Sequence, residues 1–313
     1  MDRGRAGGAL VGRLLRLVGS RPLTSYVVMT FALSWVWFGL ALGVWGLPLQ
    51  GAAGFLGTLL GPCLAGFALT ALLRGWAGVR HLLRRLVLWR VAPGWYLIAV
   101  LAWPALLVAA VLALPGSPQA GGPPPVLSAA GFLGLYLSIL VFGGPLGEEP
   151  GWRGFALPGL QERCGPLVGA LLLGVLHGTW HLPIYLLIPG YNGAPPGLAA
   201  ALGQFLLFVV GVTAGSVAVT WLFNNTRGSL LIAVLHHAAT NTAGIVVSAV
   251  LPGTAVLPAL GEVRLPLQIA AALLIIAATR GRLSYERYRR ETAADGPWPQ
   301  ASGEPRGTTS PAR

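Results

Sequence analysis

Eight apolar stretches constrain this chain more than any other feature. They run over 23–47, 52–73, 93–114, 127–147, 166–188, 198–223, 229–251 and 265–280, and each is near the about 20 residues that a helix needs to cross the hydrocarbon of a bilayer. Only 10% of the 313 residues are charged and 55% are hydrophobic, where an ordinary soluble protein carries about 25% charged residues. The expected fold class is therefore all-α, a polytopic membrane protein of about eight transmembrane helices. No internal repeat and no second domain is evident.

Charge fixes the expected orientation. The net charge of +12 comes from arginine alone, since the chain has no lysine. Such a basic chain invites a nucleic-acid reading, but the arginines flank apolar spans instead of covering a compact soluble domain, which is the pattern for anionic lipid head groups. Nucleic acid is excluded as a partner, and the lipid bilayer takes its place. Arg74, Arg80, Arg84, Arg85 and Arg90 follow the second span, Arg153 and Arg163 the fourth, Arg227 the sixth, and the remainder lie in 1–22 or from Arg280 onward. Only Arg264 falls in an alternate connector, so both termini are expected on the cytoplasmic side of a cell membrane. The expected organisation is a basic N-terminal segment over 1–22, a membrane domain over 23–283 and a disordered tail over 284–313. Residues 115–125, rich in proline, read as a stiff exposed loop.

The polar residues inside the spans are few and patterned. Glu148 and Glu149 end the fourth apolar run, and Arg153 lies four residues beyond Glu149, a spacing that pairs them across one helical turn. That leaves Glu148 free to take a proton. The alternative is a solvated helix end. His177 and His181 share one helix face at four-residue spacing, as do His237 and Asn241, whereas His236 is turned about 100° away. Any one of these could simply glue helices together. Two glutamates, three aligned histidines and an asparagine on three spans of an apolar chain instead suggest one shared intramembrane polar site.

Several chemistries are excluded by absence. The only aspartates, Asp2 and Asp295, are terminal, which rules out a membrane aspartyl dyad. Neither the H-E-x-x-H zinc signature nor the G-x-S-x-G elbow occurs. Cys63 and Cys164 have no reason to meet and form no cysteine metal site. A carboxylate acting as general base on water remains, with imidazole and amide groups toward the substrate carbonyl.

With these residues assembled, the chain resembles the CPBP family of intramembrane proteases, which includes the type II CAAX prenyl endopeptidases, their bacterial relatives and bacteriocin-immunity proteins. Its three motifs read here as Glu148-Glu149-Pro150-Gly151-Trp152-Arg153, His177-Gly178-Thr179-Trp180-His181 and His237-Ala238-Ala239-Thr240-Asn241, within a core of about 127–250. The resemblance implies an endopeptidase that hydrolyses a membrane-associated or CAAX-like peptide, with Glu148 activating water. It also implies support from Glu149 and Arg153, and a site lined by His181, His237 and Asn241 that stabilises the oxyanion. One position departs from the pattern, because His177 stands where the family usually has an aromatic residue. It is either a polar substitution facing the cavity or a third imidazole, which beside Glu148, His181 and His237 would suit a zinc ion. Two rival roles are a non-catalytic scaffold or immunity factor that keeps the motifs, and a transporter, which the lack of internal repeats disfavours.

Overall fold

The computed structural model describes residues 18–114, 129–193, 196–251 and 256–295. Residues 1–17 of the expected N-terminal segment 1–22, the proline-rich loop 115–125 and the tail beyond 295 lie outside the described residues. Among the described residues the regular structure is helical, with no strand. Eight helices are long and apolar enough to cross a membrane: α1 Pro22–Val44, α2 Gly51–Leu86, α3 Pro93–Leu112, α4 Ala130–Cys164, α5 Pro166–Leu187, α6 Leu198–Asn225, α7 Leu230–Ala249 and α8 Ala259–Thr279.

These helices follow the order of the apolar runs, but α2 and α4 continue well past the expected ends at 73 and 147. Helix α2 bends at Gly75, where φ is 60° and ψ is −162°, and then carries the arginines as a further helical arm. Arg85 from that arm is buried, donates through Nε to the Gly228 carbonyl at 2.8 Å and lies over the Phe223 ring at 4.8 Å. Ser229 caps α7 by accepting the amide of Ile232 and donates its hydroxyl to the Leu88 carbonyl at 2.8 Å. The arm thereby anchors the start of α7, the helix that bears His237 and Asn241.

Helix α4 is interrupted at Gly143 and Gly144 and resumes at Pro145. Gly144 has φ 110°, a conformation that side chains with a Cβ rarely adopt. Pro150 then removes one amide from the resumed helix, and 150–156 answers with a π-helical turn. The two glutamates are thus turned inward rather than left at a wet helix end, with Glu148 4% and Glu149 0% exposed.

Close backbone approach seats this second half of α4 in the core. A Cβ on Gly151 would lie 2.1 Å from the Pro62 carbonyl oxygen of α2, so a larger residue there would push the two helices apart. Trp152 is fully buried and meets the Tyr26 ring at 5.5 Å in an edge arrangement. Around them pack Phe38, Leu69, Phe155, Leu173, Trp180 and Phe223. Trp35 and Trp37 of α1 donate hydrogen bonds to the Trp180 and Ala53 carbonyls.

Helix α5 packs on α6, α6 on α8, and α7 against α3 and both halves of α4. Pro183 lacks an amide, and α5 is correspondingly broken at His181. The tail begins with a short helix, α9 Tyr285–Glu291. It docks on the end of α6 through the Phe223 and Tyr288 rings at 5.3 Å and through Asn225 Nδ2 to Ser284 Oγ at 2.9 Å.

Candidate active site

Helices α4, α5, α6, α7 and α8 line one cavity of about 330 Å³. From the resumed half of α4 come Glu148, Glu149 and Arg153, from α5 His177 and His181, and from α7 His237 and Asn241. The residues that sequence spacing grouped on three spans are therefore neighbours in space.

Arg153 is the hub. Its Nη1 donates to Glu149 Oε1 at 3.1 Å, the pair expected from the four-residue spacing, and approaches His177 Nδ1 at 3.2 Å. His237 also holds Glu149 Oε1, through Nδ1 at 2.7 Å. Glu149 is thus a carboxylate shared between a guanidinium and an imidazole, and its full burial is tolerable for that reason.

Glu148 departs from its expected solitude. His177 Nε2 lies 2.6 Å from Glu148 Oε2, and both side chains are buried. A guanidinium can only donate, so His177 Nδ1 must accept and Nε2 must carry the proton of the neutral ring. His177 therefore points an N–H at Glu148. Its ring also stacks on Trp152 at 5.3 Å with 28° between planes, which retains the flat packing that an aromatic residue would supply at this position.

The other polar groups each have one end tied. His181 Nδ1 donates to the His177 carbonyl at 3.0 Å, which leaves its Nε2 lone pair to the cavity. His237, held through Nδ1 by Glu149, likewise turns Nε2 away. Asn241 donates through Nδ2 to the Gly143 carbonyl at 3.3 Å, satisfying a backbone oxygen at the break in α4. His236 is committed elsewhere, with Nδ1 3.2 Å from the Ala99 carbonyl.

Ligand atoms of Glu148, His177 and His181 all lie within 4.8 Å of one another, whereas the zinc set considered from sequence combined Glu148, His181 and His237. A resident cation needs lone pairs from its protein ligands. His177 Nε2 carries a proton in the observed bonding, and His237 stands outside the group of mutually close donors. The donors as arranged do not fit a resident metal.

Sequence reasoning passed over other parts of the cavity. Tyr191, Phe208, Ser216, Arg264 and Gln268 line it too. Arg264 had left a signal as the one arginine in an alternate connector. A second recess of about 190 Å³, lined by Phe38, Leu49, Phe142, Trp180 and Ile184, shares Glu148, His181 and Tyr191 with the first.

Residues 130–243 match the family described as type II CAAX prenyl endopeptidase Rce1-like. Over this segment the chain is similar to that family. The matched segment contains all three motifs, including His177 at the departing position. A curated relative, CAAX prenyl protease 2 of Methanococcus maripaludis, is 28% identical over 90 residues, which is 29% of this chain. The aligned part spans 32% of that relative's length.

Proposed function

We propose that the chain is an intramembrane endopeptidase whose water is activated by Glu148 without a metal ion. One observation carries this reading: Glu148 is the carboxylate whose Oε2 is oriented by His177 at the wall of the shared cavity, while Arg153 and His237 both hold Oε1 of neighbouring Glu149, whose Oε2 is buried without a partner. The two carboxylates therefore have different work, one structural and one reactive.

In the proposed reaction a water in the cavity attacks the scissile carbonyl carbon and gives a proton to Glu148 as the C–O bond forms. The developing oxyanion is met by the second amide N–H of Asn241 and by His237 Nε2 once protonated. Collapse breaks the C–N bond, and Glu148 returns its proton to the leaving amine. Arg153 acts through its contacts, holding Glu149 and the His177 tautomer. The apolar recess beside Glu148 would seat a large apolar group next to the scissile bond.

The substrate class is a membrane-associated peptide of CAAX-like character, as the family suggests, approached from lipid. Arginine placement supports a cell-membrane location with cytoplasmic termini. The decisive experiment incubates the purified chain in lipid nanodiscs with a fluorogenic prenyl-cysteine peptide. Cleavage should occur with the unsubstituted chain and vanish with Glu148→Ala, and equal cleavage by both would remove the hydrolase assignment.

A further inference from the structure

The arm of α2 beyond Gly75 takes no part in the chemistry proposed above, yet it touches two of the segments that carry it. A Cβ on Gly154, the residue after Arg153, would lie 2.5 Å from Leu82 Cδ1 of the arm and 3.3 Å from Leu230 Cδ1 at the start of α7. Arg85 bridges the same junction, with Nη1 3.4 Å from the Gly154 carbonyl and Nε 2.8 Å from the Gly228 carbonyl. Ser229 reaches the Leu88 carbonyl, and Arg227 donates to the Arg90 carbonyl. The arm, the π turn that bears Arg153 and the first turn of α7 therefore meet at one place.

The opposite face of the arm is uncovered among the described residues. Trp76, Arg80, Leu83, Arg84 and Val87 recur at intervals of one turn, which sets them on one stripe. All five are exposed, Trp76 by 67% and Val87 by 68%, while Val79, Leu82 and Arg85 hold the buried side. Water disfavours such tryptophan and aliphatic surface, and hydrocarbon disfavours guanidinium groups, but the head-group layer suits both. Depth agrees with this. The helix from Gly51 to Arg74 extends about 36 Å, more than the about 30 Å of hydrocarbon, so the arm begins at head-group level. No acidic residue occurs between Trp76 and Arg90. Arg80 and Arg84, one turn apart, repel each other, and an anion shared between them relieves this.

From these observations we infer that the exposed stripe of the arm is a docking surface for anionic phospholipid. Arg80 and Arg84 take the head-group phosphate, which guanidinium groups hold through paired N–H donors, and Trp76, Leu83 and Val87 enter the upper acyl layer. The bound lipid holds the arm in place and so steadies the junction that seats Arg153 and α7, the helix whose His237 bonds Glu149 at 2.7 Å. Anionic lipid is thus an activator that acts through position and touches no reacting atom.

The activation rests on the peptide-hydrolase reading, whereas the docking is read without turnover. Native mass spectrometry of the full chain in detergent micelles doped with phosphatidylglycerol or phosphatidylcholine counts bound lipid. Phosphatidylglycerol should bind roughly 10- to 30-fold more tightly, the range expected of two basic side chains at a charged surface. The double variant Arg80→Gln with Arg84→Gln should bring the two lipids within about twofold, and Arg80→Lys with Arg84→Lys should keep part of the preference. Arg289→Gln with Arg290→Gln, on α9, should leave it intact. In nanodiscs, phosphatidylglycerol should slow hydrogen exchange of the Leu230 to Ala233 amides and raise cleavage about 3- to 10-fold over phosphatidylcholine alone. The Gln double variant should keep the phosphatidylcholine rate and lose both responses. Equal binding of the two lipids overturns the inference, as does a preference that survives the Gln double variant or is lost equally with Arg289 and Arg290. Competition by inorganic phosphate at millimolar concentration would assign the stripe to a free anion and overturns the lipid docking. A lipid preference with no protection at α7 overturns the coupling. Should cleavage be absent in every lipid while the preference and the protection stand, the hydrolase reading fails and the lipid surface survives.

Discussion

Arg153 Nη1 lies 3.2 Å from His177 Nδ1, and that contact decides which nitrogen of His177 carries a proton. Because the guanidinium has no lone pair, the imidazole must accept there and donate at Nε2, 2.6 Å from Glu148. His177, which sequence offered as a third metal ligand, is thereby made a hydrogen-bond donor to Glu148.

The first expectation concerns the role proposed for Glu148. Glu148→Gln keeps the shape and an acceptor toward His177 but cannot take a proton. Peptide cleavage should fall by roughly 10²- to 10⁴-fold, with little change in thermal unfolding in detergent. Retention of near-normal turnover would contradict the assignment.

The departing motif position offers a second test. His177→Phe should keep the stacking on Trp152, since a flat ring still occupies the site, but it strips Glu148 Oε2 and Arg153 of a partner. A loss of about 1–3 kcal/mol in stability is expected from the unsatisfied buried groups. Cleavage should slow through kcat with KM nearly unchanged, because the lost contact orients the base rather than the substrate.

Metal content provides a third. Elemental analysis of protein purified without added metal should find far less than one zinc per chain, and activity should persist after chelation and dialysis. One bound zinc per chain, with activity lost to chelator and restored by zinc, would show that His177 changes tautomer and ligates.

Arg153 should tolerate no replacement. Removing it in Arg153→Ala leaves the Glu149 carboxylate in the core with His237 alone, and breaking a buried pair of this kind costs about 3–5 kcal/mol. Arg153→Lys should also fail to restore activity, since Nη1 alone serves both Glu149 and His177 and a flexible ammonium does not reproduce the fixed position that the planar guanidinium gives it. Expression level and thermal unfolding of the two variants, read beside cleavage, check this.

Gly144 links backbone to chemistry. A Cβ there would lie 2.3 Å from Glu148 Oε1 on a backbone with φ 110°. Gly144→Ala should therefore depress cleavage more than Glu148-independent properties such as helix content by circular dichroism. An active Gly144→Ala enzyme would mean that the Glu148 carboxyl has more freedom than its contacts suggest.

Apolar run length set the number and order of the spanning helices, since hydrocarbon thickness and the rise of a helix admit few other solutions. The four-residue spacings of Glu149 with Arg153, His177 with His181, and His237 with Asn241 were equally local, because a helix places such residues on one face whatever surrounds it. The inward turn of the two glutamates was not legible. It depends on the break at Gly144 and the π turn after Pro150 within α4, and on Gly151 meeting Pro62, a contact between α4 and α2. The tautomer of His177 was likewise decided only when α4 and α5 came together. A sequence states what each helix face offers, and the partner that faces it is set by packing between segments far apart in the chain.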